Sequence, residues 1–226
     1  MTSNATSASL VHLMHLVSPA LPVGAYAYSQ GFESAVEFGW VHDAGSTEDW
    51  LRNVMQYNIA QLDAPVLMRL YDAWQSDDVR QVIYWNDFIL ASRETKELLL
   101  EDSQMGQALW RLLKELDIDG AKKWQPSTTS FTSMFALAAS HYTVAKESCI
   151  EGFVWSWLEN QMQAAIKLVP LGQTQANQLL VNLIPEIPGL CLQAAAIDDA
   201  AVGNSSPRIA VASMQHETQY SRLFRS

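Results

Sequence analysis

The sequence predicts an all-α protein, a single-domain bundle of about nine or ten helices around one long buried helix. Three observations lead there. Apolar residues recur at helical spacing in segment after segment, whereas the apolar–polar alternation of a half-buried strand is hard to find at strand length. Capping residues, glycines and prolines punctuate those segments at intervals that suit helices. Finally, Lys146–Val169 contains no proline and one glycine, Gly152, and stops hard at Pro170. As one helix it would be about 36 Å long, at ~1.5 Å per residue.

That stretch sets the plan. Phe153, Val154, Trp155, Trp157 and Leu158 leave almost no polar arc in its first half, the mark of a central, buried helix. In its second half Glu159, Gln163 and Lys167 recur every four residues and stack along one face. Ser156 and Asn160 flank this polar ribbon. It reads either as a plain solvated face or as a face aimed at a partner.

In chain order, residues 1–6 are small and polar and are expected to be disordered. Ser7 can cap a first helix that runs to Val17 and stops at Ser18-Pro19. Ser18–Glu33 (SPALPVGAYAYSQGFE) is an apolar loop: Pro19, Pro22 and Gly24 forbid regular structure, yet Leu21, Val23, Tyr26 and Tyr28 are apolar. Loops are normally polar, so this one should pack on the core or stand ready for a partner. Ser29 looks like an N-cap and Gly39 a stop. Ser46-Thr-Glu-Asp49 reads as a capping-box start, followed by Trp50 to Leu62 at helical spacing. Asp63-Ala-Pro65 should begin a separate helix, and Asp77 another.

Ser92–Glu97 is a charged turn or helix start, and Met105 to Leu116 a further helix closed by Asp119-Gly120. A polar loop, Lys122–Ser130, leads to a small-residue helix from Phe131 to Tyr142. Past the central helix come helices at Thr174–Ile184 and Leu190–Ile197, then a Gly203–Pro207 loop. Residues 204–226 are read as a tail. It carries Arg208, Arg222 and Arg225 against Glu217 alone, interleaved with Tyr220, Leu223 and Phe224. Aromatic, aliphatic and arginine side chains together are what interface hot spots use. The alternative is a tail packed on its own domain.

Composition narrows the function classes. The chain has 226 residues, 49% of them hydrophobic and 8 of them Trp, enough for a sizeable core. A net charge of −10 argues against nucleic acid and anionic membranes as main partners. No basic region precedes the apolar run Leu10–Val17, which His12 and His15 interrupt, so no signal peptide is expected. No apolar run reaches the ~18 residues of a membrane span. The 2 cysteines, Cys149 and Cys191, are far apart, which fits a cytoplasmic protein with buried thiols. There is no paired CxxC, no HExxH and no phosphate-binding glycine loop, so no cofactor is expected. Two rival readings remain open: a metal carrier using His12, His15 or His216, and an all-α enzyme using Glu159 with Lys167.

Three stretches together resemble the UreF family of urease accessory proteins: Ser18–Glu33, Glu159–Gln173 (ENQMQAAIKLVPLGQ) and Gln215–Ser226 (QHETQYSRLFRS). Ser92–Gly106 (SRETKELLLEDSQMG) is also similar to that family. The likeness spans nearly the whole chain in the family's order. One departure is Gly24-Ala25-Tyr26, where the family usually has Gly-Gly-Phe after Pro-Val. The resemblance implies an all-α, cytoplasmic, non-enzymatic protein that dimerises. It would bind the accessory protein UreD (also called UreH), recruit the GTPase UreG, and serve nickel delivery to apo-urease. By motif match Lys167 would belong to the GTPase-facing surface, with Glu159 and Gln163 joining it by helical geometry. Pro22, Gly24, Tyr28, Gln30 and Glu33 of the loop would face partners, as would His216, Glu217, Tyr220, Arg222, Leu223, Phe224 and Arg225 of the tail.

Overall fold

Helix α9, Lys146–Leu168, is the element the others pack around. In this computed structural model, which describes residues 2–203 and 206–226, every regular element is helical. Phe153, Val154, Leu158, Met162, Ala164 and Ala165 of α9 are buried. Its neighbours in space include α1 (Thr2–Leu16), α2 (Phe32–Glu37), α3 (Ala44–Val54), α4 (Ala64–Gln75), α8 (Phe131–His141), α10 (Gln173–Leu183) and α11 (Ile187–Ala195). The remaining helices are α5 (Val79–Ala91), α6 (Lys96–Glu115), α7 (Asp119–Lys123) and α12 (Pro207–His216). Two helices, α2 and α7, are only 6 and 5 residues long. No helix among the described residues is long and apolar enough to cross a membrane.

The closest packing falls where side chains are smallest. On α8, Ala136, Ala138 and Ala139 are completely buried, and α4 lies against this face. Around it Leu62, Val66, Leu67, Leu70, Phe135 and Ile150 are essentially inaccessible. Each such side chain contributes about 1.5–3 kcal/mol through burial. Gly106 of α6 permits another close approach, because a Cβ there would lie 2.2 Å from the Thr129 carbonyl oxygen. The loop before α8 is pinned by the buried Asn86, whose Oδ1 accepts from Ser130 N–H at 2.9 Å and whose Nδ2 donates to Thr128 C=O at 3.1 Å.

Several boundaries differ from the sequence reading. The α1 backbone begins at Thr2, before the expected cap Ser7, and takes in part of the stretch expected to be disordered; Met1 lies outside the described residues. The cap of α3 is Asp43, not Ser46; Asp43 accepts from Ser46 N–H at 2.8 Å, and Ser46 is the N3 partner of the capping box. The expected break before Pro65 is absent. Met55–Asp63 is π-helical and joins α3 to α4 without interruption. Proline at 65 has no N–H to offer Gln61 C=O, and that carbonyl accepts instead from Gly203 N–H at 3.0 Å. Asp119-Gly120 opens α7 rather than closing α6, which ends earlier, at Glu115, with Asp117 just beyond it at a positive φ of 66°. The tail is helical through α12 before it becomes irregular; Asn204 and Ser205 fall outside the described residues.

Candidate functional site

The loop, the ribbon and the tail meet on one side of the molecule. The loop is packed down: Leu21, Val23, Tyr28 and Phe32 are buried, while Tyr26 projects outward at 69% exposure. Gly24 takes the left-handed conformation, φ 78°, and a 3₁₀ turn over Ala25–Ala27 follows. Alanine at position 25 lies outside the left-handed region, so Gly24 alone makes the turn. Gly31, also at φ 78°, sits where a Cβ would come within 2.9 Å of Ser213 N on α12, which lets α12 close onto α2.

Glu33 is the tail's anchor. Its two carboxylate oxygens accept the backbone N–H groups of Leu223 at 2.7 Å and Phe224 at 2.9 Å. His216, fully buried, has its Nε2 at 3.2 Å from Glu33 and its Nδ1 at 2.7 Å from Glu97. Glu97 also accepts from the Arg222 guanidinium at 2.7 Å. Glu217 and Gln219 add outer ties, to Lys96 N–H and Ser34 Oγ. Hydrogen bonds to charged acceptors contribute about 1.5–3 kcal/mol each, so this cluster fixes the backbone of the tail.

The last residue of the sequence is held as firmly. The carbonyl oxygen of Ser226 accepts from Ser29 N–H at 2.9 Å and from the Ser29 hydroxyl. Its own hydroxyl bonds to Glu101 Oε2 at 2.7 Å, and Gln30 Nε2 donates to Glu101 Oε1 at 2.7 Å. Gln30, at φ 55°, accepts in turn from Trp157 Nε1 on α9 at 2.7 Å. Arg225 N–H donates to Ala27 C=O at 2.8 Å. The Tyr28 hydroxyl donates to Gln104 at 2.7 Å, and burial raises its pKa while the neighbouring Arg225 opposes that rise.

The ribbon lies alongside. Gln163 and Lys167 are exposed and Glu159 half-buried, with Gln163 Nε2 donating to Glu159 at 3.2 Å. Lys167 Nζ stands 5.3 Å from the centre of the buried Phe224 ring. Asn160 reaches Tyr28 C=O at 3.3 Å. Behind the loop is a cavity of about 150 Å³. Part of its lining is a buried ion triad, in which Arg93 bonds Asp63 at 2.7 Å and Asp102 at 2.8 Å.

A family model described as UreF matches residues 41–184. The chain belongs to the UreF family. A "Urease accessory protein UreF" of Teredinibacter turnerae is 52% identical to it, over 96% of this chain and 98% of that one. Proteins of the same description from Alkalilimnicola ehrlichii and Chromohalobacter salexigens are each 46% identical, over 95% and 96% of this chain and 94% and 95% of theirs. The matched model stops short of both the loop and the tail.

Set against the sequence-derived sites of this UreF chain, the structure sorts them into three groups. Lys167, Gln163, Pro22, Glu217, Tyr220, Arg222, Leu223 and Arg225 are exposed. Glu33, His216, Tyr28 and Phe224 are buried and act within the molecule, while Glu159, Gly24 and Gln30 are intermediate. Sequence reasoning missed Ser29, Glu97, Glu101, Trp157 and Ser226, whose partners lie far away along the chain. Of the three candidate metal histidines, His12 stacks on Tyr142 with ring centres 4.0 Å apart, His216 sits between carboxylates, and His15 is exposed on α1. Among the described residues no group of three or more His, Cys, Asp or Glu is placed to hold a metal ion. Both cysteines are buried and free, and burial pushes the Cys191 thiol up to about 12.

Proposed function

We propose that this chain is a non-enzymatic, cytoplasmic accessory factor for nickel insertion into apo-urease. As a homodimer it bridges a UreD/UreH-type partner and a UreG-type GTPase. The observation that carries this reading is the convergence of loop, ribbon and tail on one face, in a chain whose full-length relatives are named for urease accessory function. The tail supplies exposed side chains on a fixed backbone. Leu223 is 63% exposed and Tyr220 fully so, although the segment between and around them is anchored by buried carboxylates. A pre-ordered segment with projecting apolar groups loses less entropy on binding than a loose one. This surface is assigned to the UreD-type partner.

The ribbon is assigned to the GTPase. Lysine and glutamine are types that order or neutralise phosphate chemistry in GTPase partners, or that dock the GTPase and bias its conformations. The test for the tail is affinity for a UreD-type partner measured with Tyr220→Ala and Leu223→Ala. Both changes leave the buried network intact, so melting should move by no more than about 0.5 kcal/mol. Affinity is expected to fall at least tenfold in the double variant. Unchanged affinity would remove the tail from the interface.

A further inference from the structure

Glu101 is a buried carboxyl that makes no ion pair among the described residues, and it holds both ends of the candidate interface. Oε2 bonds the hydroxyl of Ser226, and Oε1 bonds Gln30, which continues to Trp157 of the central helix. Charged and titratable groups around it are few. Arg93 and Asp102 act on it from the side of the ion triad, where Arg93 is taken up by Asp63 and Asp102. Tyr28, beside Arg225, faces it from the loop. Its ligands from the loop and tail are all neutral.

We infer that Glu101 is a positioning residue for the tail: neutral, it docks the end of the tail around Ser226, and on ionising it weakens that docking. Chemistry at Oε2 permits both states. A protonated Oε2 donates to Ser226 Oγ at the observed separation of 2.7 Å, and an ionised one accepts from it. What differs is solvation. With the tail docked the carboxylate is nearly all buried, at 5% exposure; with the tail lifted it is hydrated. A buried charge without a cation is costly, so ionisation favours the lifted state.

Burial raises the pKa of Glu101 from the ordinary 4.5 to about 7. The docked state therefore holds one more proton than the lifted state between those values. By linkage, docking is strongest below the ordinary carboxylate value and weakens as pH rises, by up to tenfold per unit, until about 7. The His216 cluster, with Glu33, Glu97 and Arg222, stands at the other end of the tail as the remaining titratable set.

This inference rests on the tail's being part of the partner-binding face only for its consequence, not for its geometry. The experiment is amide hydrogen exchange on the full chain between pH 5 and 8, corrected for intrinsic rates and read at Leu223, Phe224 and Arg225. Wild-type protection should fall several-fold to a hundredfold across that range. Glu101→Gln should hold the tail at pH 8 and flatten the slope to less than half. Ser226→Ala should lower protection and reduce the slope without changing the melting temperature by more than a few degrees. A slope unchanged in Glu101→Gln would overturn the inference, as would a flat wild-type profile. Affinity for a UreD-type partner, measured over the same pH range, separates the two proposals. Protection that falls with pH while affinity stays constant would leave Glu101 as the tail's positioning residue and remove the tail from the interface.

Discussion

Glu33 shows how much one buried side chain decides. It accepts two backbone N–H groups from the tail and faces His216, so removing its charge weakens three contacts at once. Glu33→Gln is expected to cost about 2 kcal/mol in chemical denaturation and to raise exchange at Leu223 and Phe224. A loss below about 0.5 kcal/mol would mean that the tail anchors itself elsewhere. Arg93 poses the opposite problem, a single guanidinium between two buried carboxylates, which push its pKa upward. Arg93→Met leaves Asp63 and Asp102 uncompensated and should destabilise by about 3–5 kcal/mol. Adding Asp63→Asn and Asp102→Asn to that variant should recover part of the loss. The acidic residues also carry a pH signature. Because the folded pKa of Glu101 is raised, its neutral form is favoured in the native state, and native stability should decline from pH 5 to about 7. Glu101→Gln should flatten that decline in thermal melts, and an identical pH profile would contradict the burial of its charge.

At the scale of elements, α6 and α8 approach through Gly106, and this contact positions the loop that Asn86 and Asp102 hold. Gly106→Ala would drive a methyl into the Thr129 carbonyl and should cost about 2–4 kcal/mol in urea unfolding. A neutral result would show that the loop yields. Helix identity was largely legible in the sequence, because strong apolar periodicity is a local signal, whereas the caps were placed less closely: α5 is capped by Asp78, one residue past the expected Asp77, and α6 by Thr95 within the stretch read only as a charged turn or helix start. The continuity from α3 into α4 was not legible. Pro65 signals a start, and only the distant Gly203 N–H shows how the chain passes it. Likewise the capping box was expected over Ser46–Asp49 and lies three residues earlier, over Asp43–Ser46, since Ser and Asp both cap well. Of the site, the ribbon was legible from its four-residue repeat. The tail's docking was not, because Glu33, Glu97 and Glu101 meet residues more than a hundred positions away and nothing local in the sequence marks such pairs.

The whole molecule is a helical frame that presents one composite face. Alanine-rich α8 and apolar α9 build the rigid interior, and the polar half of α9 emerges beside the tail. Lys167 stands where those parts meet, its ammonium over Phe224 and otherwise in solvent. Lys167→Ala keeps a strong helix former and removes one exposed charge, so stability should change by no more than about 0.5 kcal/mol. Lys167→Glu reverses that charge, which adds repulsion if the partner's face is acidic, and should do more to function than to folding. The most direct measurement is therefore activation of apo-urease by wild type, Lys167→Ala and Lys167→Glu, with the UreD-type partner and GTPase present and nickel content read alongside activity. Activity and nickel content that fall in that order, with melting unchanged, are the expected result. Full activation by Lys167→Glu would contradict the assignment of the ribbon to the GTPase and return it to a plain solvated face.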